Sequence, residues 1–134
     1  MSRTWLAYAN RKKCHHREAL EEMHFISWSM KSANFKVGDT VYLYMSDEKS
    51  IRFKTEVVAE KVKREDGDYW QEPTSNNLTY KLALRKEYLG DDLTEAKMIL
   101  NGYKRSSLER PIYNNPRLFA YIEKTFNDDN QLTI

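Results

Sequence analysis

Three segments in the middle of the chain alternate apolar residues with other residues at a period of two, and this pattern constrains the fold most strongly. The alternating sets are Val41, Leu43 and Met45; Ile51, Phe53, Thr55 and Val57; and Tyr80, Leu82 and Leu84. Because successive side chains of a strand point to opposite faces, each segment is predicted to be a half-buried strand. The aromatic-rich residues 4–9 predict a fourth strand near the start of the chain.

Turn signals separate these strands. Gly38-Asp39 precedes the first alternating segment, where glycine can adopt a positive φ without a steric penalty. Residues 46–50 are polar and predict a hairpin loop, so the strands on either side should pair antiparallel. Residues 64–77 are polar and turn-rich, and they predict a long surface loop that carries Tyr69 and Trp70.

Helix signals lie nearer the two ends of the chain. Residues 17–23 carry an apolar stripe, and residues 93–100 are bounded by Asp91-Asp92 and Asn101-Gly102. Asn115-Pro116 predicts a helix start, and Leu118, Ile122 and Phe126 follow at helical spacing. Strands in the middle and helices towards the ends predict an α+β fold with a mainly antiparallel, curved sheet. The pattern alone leaves open whether that sheet closes into a small barrel.

Length and composition exclude several classes. A chain of 134 residues fits one domain, spanning residues 1–134. A net charge of +2 gives no overall basic field, so contacts with nucleic acid would need local patches. The single cysteine excludes an internal disulfide framework, and no apolar run approaches a membrane span, so we expect a cytoplasmic protein without membrane contact.

Motifs for catalysis and for metal binding are missing from the sequence. No phosphate-cradling glycine loop, nucleophile elbow or dinucleotide fingerprint occurs, so we expect neither an enzyme nor a bound cofactor. Cys14-His15-His16, with His24 further on, lacks the paired short spacings of a structural zinc site, so no metal is predicted. A nucleophilic Cys14 would need a base held by a third group; His15 or His16 could be that base, but a strongly basic setting alone does not make a mechanism.

Several blocks in sequence order resemble the EVE family of the PUA-like superfamily. They are TWLAYAN at residues 4–10, ISW at residues 26–28, and FKVGDTVYLYMS at residues 35–46. In the last block a Gly-Asp pair precedes an apolar strand and a Tyr-x-Ser triplet, and a further strand follows at residues 51–58. The resemblance implies a small β-barrel flanked by helices, related to YTH, ASCH and SRA-type domains. It also implies a non-catalytic module that recognises a modified base of DNA or RNA in a pocket beside the barrel.

A base pocket needs a flat ring for stacking and polar groups for the base edge. Trp28 is the candidate for stacking, Tyr44 for a wall, and Ser46 and the Asn10 amide for the edge, while Trp70 could close over the ligand. Each has a structural alternative: Trp28 and Tyr44 as core residues, Asn10 as a turn cap, and Trp70 as a cover over one end of the sheet.

Two basic clusters are candidates for phosphate contacts. The first holds Arg11, Lys12 and Lys13 with His15, His16 and Arg17, and the second holds Lys104, Arg105 and Arg110 with Arg117 further on. Either cluster would give affinity that is independent of sequence and falls with salt, or would form an ordinary solvated face. Two other functions stay open: a protein-interaction module that uses the surface around Trp70 and Tyr103, and a small enzyme that acts on a nucleotide or RNA.

Overall fold

The computed structural model describes residues 3–9, 15–29, 34–63, 78–103, 110–111 and 115–128. The elements in those ranges are β1 (Thr4–Ala9), α1 (His16–Met23), β2 (Phe25–Ser29), β3 (Thr40–Met45), β4 (Ser50–Val62), β5 (Thr79–Glu87), α2 (Glu95–Ile99), β6 (Arg110–Pro111) and α3 (Pro116–Asp128). The predicted α+β class is confirmed. Among the described residues, no helix combines the length and the apolar character needed to cross a membrane.

All six strands belong to one mixed sheet, in the order β2-β5-β4-β3-β1-β6. β1 and β3 run parallel, whereas the other neighbouring pairs are antiparallel. The turn at residues 46–49 joins β3 to β4, which confirms the predicted hairpin. Among the described residues the edge strands β2 and β6 do not pair with each other, so these ladders leave the sheet open.

Apolar side chains cover both faces of the sheet. On one face, α1 packs against side chains from β1 to β5; this first cluster includes Trp5, Ala19, Leu20, Ile26, Trp28, Val41, Leu43, Phe53, Tyr80 and Leu82. On the other face, α2 and α3 pack against β1, β3 and β4; this second cluster includes Leu6, Tyr42, Tyr44, Ile51, Met98, Tyr103, Leu118, Ile122 and Phe126. The central strand β3 is therefore buried on both sides, rather than half-buried as its alternation predicts.

The helices match their sequence signals with one change of length. α1 and α3 lie where they are predicted, and the Oδ1 atom of Asn115 accepts a hydrogen bond from the backbone N–H of Leu118 at 3.3 Å, as an N-cap does. α2 is shorter than residues 93–100, because Thr94 is its N-cap and Leu93 is fully buried in the second cluster before the helix begins. The five-residue strand β2 was not predicted as a strand.

The Gly38-Asp39 turn ties the start of β1 to the start of β3. Gly38 has a φ of +96°, which places the buried Asp39 carboxylate beneath the two strands. That carboxylate accepts hydrogen bonds from Trp5 Nε1 at 2.8 Å, from the backbone N–H of Arg3 at 2.8 Å and from that of Lys36 at 2.9 Å. The motif therefore builds the junction of the parallel pair, in addition to making a turn.

Candidate functional site

The two aromatic residues predicted to form one pocket lie on opposite faces of the sheet. Trp28 lies opposite Tyr80 and belongs to the first cluster together with Leu43. Tyr44 follows Leu43 in β3, so its side chain points to the other face and joins the second cluster. The prediction of a slot between Trp28 and Tyr44 is wrong, because the sheet itself separates the two rings.

Trp28 occupies a position in the core. Its side chain is 5% exposed, and its ring lies 5.7 Å from the ring of the buried His16 of α1. This contact holds α1 against β2, as expected of a large aromatic residue in a packed interior. The structure therefore favours the structural alternative for Trp28.

Tyr44 is the middle ring of a column of three tyrosines. Its ring centroid lies 5.8 Å from that of Tyr8, with an interplanar angle of 22°, and 6.3 Å from that of Tyr103, with an angle of 17°. These distances fall in the range of favourable aromatic pairs. Tyr44 and Tyr103 are each 5% exposed, whereas Tyr8 is 40% exposed. The column thus presents one ring, Tyr8, to solvent near the end of β1.

A groove lies next to this column, between the β3–β4 turn and α2. Its volume is about 390 Å³, and it is lined by Glu48, Lys49, Thr94, Glu95, Ala96 and Ile99. The backbone N–H of Ser46 donates to the carbonyl of Ala9 at 3.0 Å, so the parallel strands β1 and β3 end together at this side of the sheet. The volume is in the range of sites for small ligands.

Glu95 connects the groove to the aromatic column. The Tyr44 hydroxyl donates a hydrogen bond to Glu95 Oε2 at 3.2 Å, and the backbone N–H of Glu95 donates to the carbonyl of Lys49 at 2.8 Å. Burial raises the pKa of Tyr44 well above its usual range, and the nearby Glu95 charge raises it further. Tyr44 therefore stays neutral at physiological pH and fixes the Glu95 carboxylate at the groove.

Arg17 and Arg52 hold the other carboxylate of the groove. Glu48 Oε2 accepts from Arg17 at 2.5 Å, and Glu48 Oε1 accepts from Arg52 at 3.0 Å. Arg17 also donates to Glu87 at 2.5 Å and lies 5.0 Å from the centroid of the Phe53 ring. Burial lowers the pKa of Arg17, but the two glutamates outweigh it and leave the pKa above its usual value. Arg17 belongs to the first basic cluster in the sequence. Its hydrogen bonds to Glu48 and Glu87 give it a structural role rather than a phosphate contact.

The structure locates part of the remaining candidate set. Ser46 is half-buried at the start of the β3–β4 turn, and Arg117 donates a hydrogen bond to the carbonyl of Leu100 at 2.8 Å. Arg110 lies in β6, where it pairs with Leu6. The other predicted site residues, Asn10, Arg11, Lys12, Lys13, Trp70 and Arg105, lie outside the described residues.

Sequence reasoning did not select Tyr8, Lys49 or Glu95. Tyr8 carried a signal, because it is a large aromatic residue between Ala7 and Ala9 on a strand that otherwise buries its side chains. Glu95 joins the site only through the packing of α2 against the β3–β4 turn, which no local pattern reveals.

Burial of several tyrosines predicts a specific response to alkaline pH. Desolvation raises the pKa values of Tyr42, Tyr44, Tyr80 and Tyr121 in the folded chain. Unfolded tyrosine releases its proton near pH ~10, so above that pH the unfolded chain binds fewer protons and stability falls as pH rises. In a titration followed by phenolate absorbance, Tyr42 and Tyr44, whose pKa values are raised most, should ionise only as circular dichroism reports unfolding. Reversible ionisation of all nine tyrosines near pH ~10 in a folded chain would contradict this.

Comparison with known proteins identifies a shared fold. The solved structure of a hypothetical protein from Leishmania major matches with a TM-score of 0.59 and 16% sequence identity, over 98% of this chain and 98% of that chain. At that identity the similarity shows the fold alone. No family model matches the chain, and the curated proteins give no match.

Proposed function

We propose that this chain is a non-catalytic nucleic-acid-binding module of the cytoplasm that recognises a modified base at the Tyr8 end of the aromatic column. The base stacks on Tyr8, and the adjoining groove takes the rest of the nucleotide. This replaces the pocket around Trp28 with a site on the opposite face of the sheet. Tyr44 keeps a role as the buried ring that supports Tyr8.

The observation that carries the proposal is the exposed ring of Tyr8 against a rigid support. Tyr8 is 40% exposed and stacks on the ring of Tyr44. The stacking holds the Tyr8 ring in one orientation, so little conformational entropy is lost when a ligand binds to it. Stacking of a base on an aromatic ring contributes about 1–3 kcal/mol. Glu95, fixed by Tyr44, adds an acceptor for an N–H group of the ligand.

Basic residues follow the column closely in the sequence. Arg11, Lys12 and Lys13 come after the end of β1 at Ala9, and Lys104 and Arg105 come directly after Tyr103. Tyr8 and Tyr103 both stack on Tyr44. Both basic clusters therefore begin within a few residues of the aromatic column in the sequence. We propose that these clusters contact phosphates of the bound strand.

We further propose that the chain is related to the EVE family of the PUA-like superfamily. A mixed sheet with a parallel β1–β3 pair, a helix between β1 and β2, and a Gly-Asp turn before β3 agree with the order of the blocks in that resemblance. We propose that this sheet corresponds to the barrel of that superfamily.

Replacing Tyr8 with leucine tests the proposal. Tyr8→Leu removes the flat ring, and affinity for a fluorescent single strand that carries a modified base should fall roughly 5- to 100-fold, the equivalent of one lost stacking contact. Tyr8→Phe keeps the ring and should bind within about twofold of the unsubstituted chain. Anisotropy titrations over a panel of modified and unmodified strands and duplexes measure both. Equal affinity for the leucine and phenylalanine variants would remove Tyr8 from the site.

A second function is favoured by exposed aliphatic side chains near α2. Leu89, Ile99 and Leu100 are 58%, 56% and 71% exposed, and an apolar patch that joined them would suit a protein contact. Tyr103, which the sequence suggested for such a surface, is buried in the column. Binding of a protein partner that Leu100→Ser abolishes, with no binding to any oligonucleotide, would favour this function over the first.

A further inference from the structure

Lys49 has a backbone conformation that lysine rarely adopts. It is the last residue of the β3–β4 turn, and its φ of +51° lies in the left-handed region. Hairpin turns of this kind usually place glycine or asparagine there, because a Cβ crowds the following carbonyl. The sequence therefore keeps a lysine side chain at a position where glycine would fit the backbone better.

Lys49 is one of the residues that line the groove. Lys49 is exposed, and none of the ion pairs in the described part of the chain includes it. The adjacent Glu48 is already engaged by Arg17 and Arg52. Lys49 thus brings to the groove a positive charge that the Glu48 carboxylate, already paired with two arginines, does not pair with; Glu95 is the second carboxylate there.

The backbone of the β3–β4 turn is held in place around Lys49. The Lys49 carbonyl accepts a hydrogen bond from Glu95, the Glu48 side chain is tied by two arginines, and Glu95 in turn holds the Tyr44 hydroxyl. Strained residues held by their surroundings cluster at ligand sites. A rigid turn that carries a lysine beside an aromatic column suits a ligand with an anionic group next to a flat ring.

We propose that Lys49 binds the phosphate of the nucleotide whose base stacks on Tyr8. This inference rests on the proposed function and adds an anion-binding residue outside both basic clusters. The nucleotide would lie along the groove, its ring at Tyr8 and its phosphate at the Lys49 ammonium. The apolar side chains of Ala96 and Ile99 would face the sugar.

Lys61 provides a matched control for the test. It is also an exposed lysine at positive φ, with a value of +57°, but it lies near the far end of β4 and does not line the groove. Lys49→Gly and Lys61→Gly each relieve the same kind of backbone strain and remove one positive charge. Both variants should therefore have a melting temperature equal to or above that of the unsubstituted chain.

The two variants should differ in binding to the oligonucleotide that the unsubstituted chain binds best. Lys49→Gly should lower affinity about fivefold and reduce the slope of log affinity against log salt by about 0.7 for a single strand, whereas Lys61→Gly should change neither. Equal affinity and equal salt slopes for both variants would overturn the role of Lys49 and leave the proposed function standing. Absence of binding by the unsubstituted chain to every oligonucleotide would overturn both.

Discussion

Replacing Trp28 with alanine is expected to lower the free energy of unfolding by about 3–5 kcal/mol, the cost of deleting a large buried aromatic side chain. Trp28 is 5% exposed in the first cluster and packs against His16 and Tyr80, so its removal leaves a cavity between α1 and β2. Urea denaturation followed by circular dichroism measures the change. A loss of this size is a large part of the stability of a typical domain.

Trp28→Phe is the matched control, because it keeps a ring in the same site. It should cost less than the alanine variant, and under conditions where it is folded it should bind oligonucleotides as the unsubstituted chain does. A Trp28→Ala variant with unchanged stability and lost binding would contradict the core position and restore Trp28 to the binding site.

Replacing Asp39 with alanine is expected to cost about 3–5 kcal/mol, because it leaves one buried and two partly buried donors without their acceptor. The carboxylate of Asp39 is the partner of the Trp5 indole and of two backbone N–H groups, those of Arg3 and Lys36. Without it, the junction between β1 and β3 loses the acceptor that fixes the parallel pair.

Asp39→Asn keeps one carbonyl acceptor in the same space, so it should cost less than the alanine variant. The comparison separates loss of hydrogen bonds from loss of volume. It is measured by the shift of the denaturation midpoint together with the environment of the Trp5 indole proton in NMR spectra. Equal stability of Asp39→Ala and the unsubstituted chain would show that this turn does not hold the two strands together.

The strands with an alternating sequence pattern could be predicted, because a period of two is typical of a strand, although both faces of β3 are in fact buried. Residues 4–9, 41–46, 51–58 and 80–85 all lie in or overlap observed strands. Which of those strands pair with each other was harder to predict from the sequence. β1 runs parallel to β3, and β2 pairs with β5 more than fifty residues later, so neither contact leaves a local signal.

For the Gly38-Asp39 pair, the turn could likewise be predicted from the local sequence, but the contact with a distant residue could not. A glycine before a strand predicts a turn, and the positive φ of Gly38 confirms it. The role of Asp39 depends on Trp5, which lies 34 residues earlier in the chain. Only the fold brings the indole N–H to the carboxylate.

The candidate site was partly predictable for a similar reason. Tyr44 and Ser46 were selected from the Tyr-x-Ser triplet, and both lie beside the site on the α2 side of the sheet. Trp28 was predicted for the same pocket because the sequence around it does not indicate which face of the sheet its side chain lies on. β2 pairs with β5 in a register that sets Trp28 opposite Tyr80, and both side chains belong to the first cluster.

The most direct test of the account is an NMR titration of the labelled chain with the modified oligonucleotide that binds it best. We expect the largest shifts at Tyr8, Lys49 and Glu95, with the indole resonances of Trp5 and Trp28 almost unmoved, because both indoles lie in the cluster on the other face. Shifts centred on Trp28 and His16, with none along the groove, would contradict the placement of the site.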